Sequence, residues 1–304
     1  MNVLEKNKKK SKKIISGENS DSSNLSIDSS SYSSIPNEVL PPKVAHSYKP
    51  PNEIKFFLWG TKEQERLIFP AHEEWEDYEE DKYEKFMQFI DDEDVEFDKP
   101  IHKKDMLRYL YGSQFNFAET LKNIQLNLQH LNEIHPIVLN KGMKELLNKG
   151  IFYMNGRDSN FRPISYSKPC CITDTDASVD DALTAIYYAA YYVIDNWLLP
   201  GKIENWILVD DLNNLAISKL PTKTIVKMLG SMQQHLKWRA CKVFLVNVTF
   251  GIRALYKILT PFIDKKVKQK VEMTKNSYNP KLLELAHPSQ VEKNYGGEGE
   301  NYNG

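Results

Sequence analysis

Two adjacent carboxylates, Asp210 and Asp211, follow an apolar run and are the best candidates for acid–base chemistry in the sequence. Catalytic groups of α/β folds often lie at such strand ends. The seven histidines are scattered, and His130 and His135 are five residues apart, so they would occupy different faces of a helix. Since no base, metal ligand or nucleophile accompanies the carboxylates, we favour a capping or loop role for them over catalysis.

Known catalytic motifs are absent from the sequence. It contains no G-x-S-x-G, H-E-x-x-H or P-loop, and its glycine-rich stretch from Gly296 to Gly299 lies near the end of the chain rather than between a strand and a helix. Cys170 and Cys171 are adjacent and Cys241 stands alone, which is typical of neither a disulfide framework nor a zinc site with paired ligands. We therefore predict a chain that is not an enzyme, has no cofactor and no metal, and resides in a reducing compartment.

Composition and terminal features predict a soluble chain. Its 304 residues are 41% hydrophobic, enough for one sizeable core, or for one main domain with a smaller helical partner. Residues 1–20 are basic without a following apolar run, so no secretory signal is expected, and the second position lacks the glycine needed for myristoylation. The longest apolar stretch, Ala182 to Leu199, contains Asp195 and Asn196 and predicts a buried helix. We expect a cytoplasmic location with only peripheral membrane contact.

The patterning divides the chain into four segments. Residues 1–50 are rich in Lys, Ser and Asn and predict a disordered tail, whose lysines between positions 6 and 13 could contact anionic lipid, nucleic acid or protein partners. We favour a solvated tail, with possible protein partners and no nucleic acid. Residues 51–150 follow a helical pattern, residues 151–297 alternate strands and helices, and residues 298–304 predict a flexible tail.

Helical periodicity within residues 51–150 predicts four helices. The first is acidic and amphipathic, and the third carries apolar residues spaced alternately by four and three, followed by a proline that ends it. In chain order they are Glu73 to Ile90, Met106 to Gly112, Phe117 to Leu131, and Lys144 to Asn148.

The second half of the chain predicts an α/β fold with a mixed, largely parallel sheet, because helices separate most of its strands. A hairpin comes first, and three further strands follow. The predicted strands are Ile151 to Met154, Pro163 to Ser167, Trp206 to Val209, Lys242 to Val248 and Val271 to Thr274. The predicted helices run from a cap at Asp180 or Asp181 to Trp197, and over Thr222 to Leu236, Ile252 to Ile263 and Asp264 to Lys270.

The helix from Ile252 to Ile263 is too apolar for an ordinary surface helix. Its apolar residues recur at a spacing near 3.6, and Arg253 and Lys257 are its only charges. Either it lies beneath other structure, or its apolar face meets a bound apolar molecule. The periodicity alone leaves both explanations open.

Several short motifs, in this order, resemble those of the CRAL-TRIO lipid-binding family. They include a D-x-x-G-R-P-V hairpin, a strand ending in Asp-Leu, a strand ending in Asn-x-x-F, a K-P-F-L-D segment and a terminal L-P-x-x-x-G-G. The corresponding stretches are Asp158 to Ile164, Trp206 to Leu212, Val246 to Phe250, Leu259 to Asp264, and Pro288 to Gly297. Met106 to Leu131 also resembles the family's N-terminal helical module, so the likeness covers about Ile101 to Gly297. Within that family, the motifs resemble those of the secretory phosphatidylinositol and phosphatidylcholine transfer proteins.

The resemblance implies that one hydrophobic lipid is enclosed between the sheet and the helices, with a mobile gate helix at Phe250 to Phe262. A dry apolar pocket favours an acyl chain without any catalytic group. By position, the implied cavity and gate residues are Tyr187, Tyr191, Trp206, Leu208, Leu245, Asn247, Phe250, Leu255, Leu259 and Phe262. The tyrosines, together with Tyr188 and Tyr192, could equally be ordinary core aromatics.

The positions that hold lipid headgroups in the family carry mostly different residues here. The family's inositol-phosphate arginine, its glutamate, and its threonine and lysine fall on Ser113, Lys227, Val267 and Lys270, so that only the last is retained. The Ser and Thr that serve choline lipids fall on Trp206 and Leu208. Four lysines follow the gate and could meet phosphoinositides on a membrane, as in some family members, or form a solvated helix end: Lys265, Lys266, Lys268 and Lys270.

Taken together, the motifs predict a lipid-binding chain that exchanges a single amphipathic lipid, of the phospholipid or phosphoinositide type, during transient contact with membranes. The expected partners are therefore that hydrophobic ligand and a membrane surface. The alternative is a lipid sensor or scaffold of the same fold that binds without transfer, which the altered headgroup positions favour.

Overall fold

A small unit of helices and one hairpin precedes a five-stranded sheet in the computed structural model, which describes residues 40–59, 63–71, 74–97 and 101–302. Most of the predicted N-terminal tail, residues 1–39, lies outside these ranges. Its last part is ordered: Lys43–Ser47 forms a 3₁₀ helix with Ala45 buried. The ring of Tyr48 lies edge-on to Phe161 at 5.3 Å between centroids, which ties this segment to the sheet domain.

The first part of the helical segment contains a β-hairpin that we did not predict. Helix α1 (Asn52–Lys55) leads into β1 (Phe56–Trp59), which pairs antiparallel with β2 (Glu63–Arg66). The prediction of a wholly helical pattern from residue 51 is wrong here. β2 is entirely polar, so the apolar alternation that marks a strand is missing from its sequence.

The four predicted helices are present with shifted ends. They are α2 (Asp77–Asp92), α3 (Lys103–Gly112), α4 (Phe117–Ile134) and α5 (Lys141–Asn148). α5 begins three residues before the predicted start, because Asn140 caps it by accepting a hydrogen bond from the backbone N–H of Met143. Phe86, Leu107 and Ile124 are buried in one core between α2, α3 and α4.

The predicted α/β fold with a largely parallel sheet is confirmed. The strands follow one another across the sheet in chain order, the first pair antiparallel and the other three pairs parallel. They are β3 (Tyr153–Arg157), β4 (Pro163–Ser167), β5 (Trp206–Asp211), β6 (Ala240–Val246) and β7 (Val271–Met273). The helices of this half are α6 (Val179–Asn196), α7 (Thr222–His235), α8 (Phe250–Leu259), α9 (Lys265–Lys270) and α10 (Pro280–Leu285).

Three boundaries differ from the prediction for identifiable reasons. β3 starts two residues late, because Ile151 and Phe152 are buried but precede the hydrogen-bonded ladder. Ser178, rather than Asp180 or Asp181, is the N-cap of α6; its hydroxyl accepts from the N–H of Asp181, whose carboxylate accepts in return. α8 ends at Leu259 and a 3₁₀ turn follows over Thr260–Phe262, where a proline interrupts regular helix.

The two faces of the sheet pack against different layers. One carries Trp206 and Leu208 and packs in the same core as α6. The other carries Ile207 and Phe244 and packs against α10 and the C-terminal segment. Residues 298–302, predicted to be part of a flexible tail, belong to that second layer, since the ring of Tyr302 stacks on β3.

Within the described ranges, no helix combines the length and apolar character needed to cross a bilayer.

Candidate functional site

Asp211 organises the ends of two strands. Its carboxylate accepts hydrogen bonds from Asn247 Nδ2 at 2.7 Å, from the Tyr295 hydroxyl at 3.1 Å and from the backbone N–H of Asn213 at 3.0 Å. These contacts join the ends of β5 and β6 to the C-terminal segment. For Asp211 they fit the capping or loop role that we favoured for the carboxylate pair.

Asp210 lies on the opposite side of β5 from its neighbour, in register with Ser167 on β4 and Leu245 on β6. Burial raises the pKa of the Asp210 carboxyl from 3.8 to about 6; the charge of Asp211 raises this pKa further, while a hydrogen bond with Ser167 opposes the shift. Near neutral pH this face of the sheet therefore carries a carboxylate whose ionisation is unfavourable.

We expect Asp210→Asn to stabilise the protein at pH 7 and to leave its stability unchanged at pH 4. Between about pH 4 and 6 the native state binds more protons at this carboxyl than the unfolded state, so the native state loses stability as the pH rises through that window. The amide cannot ionise and so removes this cost. We expect the free energy of unfolding to rise by about 1–2 kcal/mol at pH 7, which is less than the full pKa shift would give because the side chain is partly exposed.

Urea unfolding at both pH values measures this gain. The exposed substitution Asp91→Asn serves as the control and should change the free energy of unfolding by less than about 0.5 kcal/mol at either pH. A gain for Asp210→Asn that is equal at pH 4 and pH 7 would contradict the assignment.

The two predicted cavity tyrosines pack between helices. The Tyr187 hydroxyl lies 2.6 Å from Ser231 Oγ on α7, and its ring meets His130 of α4 edge-on at 4.6 Å. Tyr191 stacks against Tyr187 with centroids 6.0 Å apart. These contacts fit their alternative role as core aromatics that hold α4 and α7 against α6.

Trp206, Leu208 and Leu245 are brought together on one face of the sheet. Leu208 pairs in register with Val243, so Leu245, two residues further along β6, projects from that same face. Trp206 is buried edge-on to Phe152 with centroids 6.1 Å apart, whereas Leu208 and Leu245 are half-buried. These side chains form an apolar patch on this face, beside the Asp210 carboxyl that is in register with Leu245.

The predicted gate helix α8 exposes part of its apolar surface. Phe250 is 89% exposed and Ile258 59%, and Phe262 in the following turn is 52% exposed. Ile252 and Leu259 are buried, and Leu255 is half-buried. The first explanation left open by the sequence therefore holds for one side of the helix, which lies under other structure, while the other side meets solvent.

Specific polar contacts anchor both ends of α8. At its start, the side chain of Thr249 caps the helix, and the backbone N–H of Asn247 donates to the Asn276 carbonyl at 2.9 Å. Beyond its end, Gln233 of α7 donates to the Phe262 carbonyl at 3.1 Å and accepts from the N–H of Asp264 at 2.7 Å. Gln233 is a site residue that the sequence did not reveal.

Asn247 and Phe250 also line an open cleft of about 540 Å³, together with Arg253, Lys275 and the backbone that joins β6 to α8. We did not identify this cleft from the sequence. Arg253 was seen only as a charge on an apolar helix, and Lys275 belongs to no motif. The one sequence signal was the asparagine that follows each of two parallel strands, at positions 213 and 247.

The predicted headgroup residues do not form one cluster. Ser113 is buried and accepts a hydrogen bond from Asn123 Nδ2 at 2.9 Å, and Lys227 is exposed and pairs with Asp180 at 2.8 Å. Lys270 is buried, and its ammonium lies 4.9 Å from the centre of the Trp238 ring.

The other lysines after the gate also differ in environment. Lys266 reaches the same ring, Trp238, at 4.9 Å and pairs with buried Glu65 on β2 at 3.3 Å. Lys265 is exposed and Lys268 half-buried. Within the basic run, two lysines therefore hold the segment after α8 against the hairpin and Trp238, and Lys265 faces solvent.

Comparison with known proteins agrees with this fold. The family model described as the CRAL/TRIO domain matches residues 147–297. Clavesin-1 of Xenopus laevis is 27% identical over 203 residues, which cover 63% of this chain and 60% of the clavesin. Patellin-6 of Arabidopsis thaliana is 21% identical over 206 residues, covering 63% of this chain and 50% of the patellin. The chain thus spans between half and three fifths of the length of these two relatives.

Two further comparisons extend the likeness. A CRAL-TRIO domain-containing protein of Dictyostelium discoideum is 23% identical over 209 residues, covering 66% of this chain and 80% of that protein. The crystal structure of Sfh5 matches with a TM-score of 0.53 at 12% identity, over 66% of this chain and 82% of that one, which shows a shared fold. From the matched domain, the ordered motifs and the fold together, residues 147–297 belong to the CRAL/TRIO family.

Proposed function

We propose that the chain binds one amphipathic lipid against the sheet face that carries Leu208 and Leu245, and exchanges it with membranes through movement of α8. Lipid binding is the general activity that family membership implies. The observation that carries the exchange step is the exposed apolar surface of α8, led by Phe250.

Membrane contact stabilises such a surface. Burying a phenylalanine side chain gains about 1.5–3 kcal/mol, so inserting Phe250 and Phe262 into the membrane interface offsets part of the cost of displacing α8. Exposed Lys265 lies close behind them in sequence and adds about 1 kcal/mol of attraction to an anionic membrane. α8 docks through the side that it already presents to water.

The anchors of α8 define how it moves. α8 connects β6 to β7, and its ends are fixed at Asn247 and at the two hydrogen bonds of Gln233. Breaking the Gln233 contacts releases the end of the helix while its start stays tied to the sheet. In this proposal the helix then swings about Asn247 and opens a path to the sheet face that carries Leu208 and Leu245.

Exchange of fluorescent phosphatidylcholine or phosphatidylinositol between donor and acceptor vesicles tests the proposal. We expect Phe250→Asp to slow exchange at least about tenfold, because a charge replaces a side chain that must enter the membrane. Val138→Asp, at an equally open position before α5 (78% exposed), should exchange at the wild-type rate. Equal rates for Phe250→Asp and the wild type would exclude α8 as the membrane contact.

A non-transferring lipid sensor is the second candidate. The positions that serve choline headgroups in the family hold Trp206, which is packed on Phe152, and half-buried Leu208, and Gln233 holds the end of α8 in place. A lipid that copurifies with the chain but does not exchange, even after Gln233→Ala, would select this function.

A further inference from the structure

The open cleft at the start of α8 has the composition of an anion site. It lies at the carboxyl ends of β5 and β6, where ligands commonly bind in α/β sheets. Asn213 and Asn247 supply amides, and Arg253 and Lys275 supply two positive charges. Its volume of about 540 Å³ is sufficient for a phosphorylated small molecule or a lipid headgroup.

The charge of the cleft is not neutralised by its own lining. No carboxylate is among the described residues that line it. The neighbouring carboxylate, Asp211, already accepts three hydrogen bonds, from Asn213, Asn247 and Tyr295. These donors are neutral, so Asp211 keeps its charge, but Arg253 and Lys275 outnumber this one carboxylate and leave the cleft net positive; the first turn of α8 adds to the positive potential through the helix dipole.

Arg253 carries an unsatisfied donor. Its Nε is buried, yet it has no hydrogen-bond partner among the described residues. Leaving such a donor unpaired costs about 1–3 kcal/mol, and native structures rarely keep one without a reason. This nitrogen is shielded from solvent, so an anion in the cleft reaches it only if the side chain shifts; the rest of the guanidinium offers phosphate a planar pair of donors.

The walls of the cleft are held in place before any ligand arrives. The backbone N–H of Asn247 donates to the Asn276 carbonyl, and that of Val248 donates to the Thr274 carbonyl, both at 2.9 Å. These two bonds fasten the loop that carries Lys275 to the strand end that leads into Arg253. Binding therefore loses little affinity to ordering of the site.

We propose that this cleft binds a phosphate monoester, with Arg253 and Lys275 as the residues that contact the phosphate. A dianion suits two cations better than a phosphodiester, which carries a single charge. The phosphate can come from a phosphorylated lipid headgroup presented beside exposed Phe250 or from a free phosphorylated metabolite. The site is separate from the lysines of α9 and does not require lipid exchange.

Two binding measurements on the full chain distinguish the sources. The first is calorimetric titration with free inositol 4-phosphate, with myo-inositol as the blank. The second is sedimentation with phosphatidylcholine vesicles that contain phosphatidylinositol 4-phosphate, compared with vesicles that contain phosphatidylinositol. Arg253→Gln and Lys275→Gln are the test variants, and Lys257→Gln, an exposed charge on the same helix outside the cleft lining, is the control.

We expect each test variant to weaken phosphate-dependent binding at least about tenfold and the control to bind like the wild type. A loss confined to vesicles would identify a lipid headgroup as the source, and a loss in free solution would identify a soluble phosphate. Lys275 is exposed, so Lys275→Gln should fold like the wild type, and a loss of binding by this variant reports on the phosphate contact rather than on folding. The proposal is overturned if neither probe binds, or if Lys257→Gln weakens binding as much as Lys275→Gln. In either case, a chain that still exchanges lipid between vesicles would leave the proposed transfer function intact.

Discussion

Replacing Arg66 with methionine is expected to lower the free energy of unfolding by about 3–5 kcal/mol. Arg66 is 2% exposed, and its Nε and Nη2 donate to the two carboxylate oxygens of Glu79, both at 2.6 Å. Glu79 is completely buried and also accepts from the Tyr111 hydroxyl and from the backbone N–H of Glu76. Methionine leaves that carboxylate in the core without its counter-ion, which is far costlier than losing an exposed pair.

An exposed ion pair on α2, the helix that carries Glu79, provides the control. Lys85 and Asp81 lie 2.7 Å apart with side chains that are 60% and 51% exposed, so Lys85→Met should cost less than about 0.5 kcal/mol. The double variant Arg66→Met with Glu79→Met should recover part of the loss, because no unpaired charge remains buried. Denaturant unfolding that shows equal effects for Arg66→Met and Lys85→Met would contradict the role of this pair.

Gly297→Ala is expected to destabilise the protein by about 2–3 kcal/mol. A Cβ at this position would lie 1.9 Å from the Val291 carbonyl oxygen, and backbone atoms cannot rotate out of the way as a side chain can. Val291 is completely buried in the core between the sheet and the C-terminal segment. Its displacement also strains the hydrogen bond from the Gly299 N–H to the same carbonyl, at 2.8 Å.

Gly230→Ala is the matched control for this prediction. A Cβ there meets no heavy atom within 4 Å, and the position lies inside α7, so alanine should stabilise the protein by about 0.5–1 kcal/mol. The difference between the two variants in thermal unfolding isolates the steric effect. A Gly297→Ala protein as stable as the wild type would show that the terminal segment does not pack as described.

The sheet and most helices could be predicted because each carries its own periodic apolar pattern. The polar strand β2 shows where prediction from apolar patterns fails. Backbone hydrogen bonds and buried Arg66 hold this strand in place, and in the sequence the partner of Arg66, Glu79, resembles every other acidic residue of α2. Ser178 was missed for a similar reason: two acidic residues follow it in the first turn, and only the fold shows which side chain accepts the helix N–H groups.

The motifs placed Asn247 after a strand and Phe250 at the start of a helix, and the structure has both there; their roles as lipid contacts stay predictions. The candidate site was not predictable where function depends on elements that meet only in the fold. Gln233 reaches the end of α8 from another helix, and Lys275 joins Arg253 across the cleft from a loop after β7. Nothing local in the sequence distinguishes either residue.

Native mass spectrometry of the purified full chain tests the central claim of lipid binding most directly. We expect a major species that carries one lipid per chain, released on denaturation and identified by extraction as a phospholipid or a phosphoinositide. Only unliganded chain after gentle purification, together with no lipid uptake from vesicles, would contradict it.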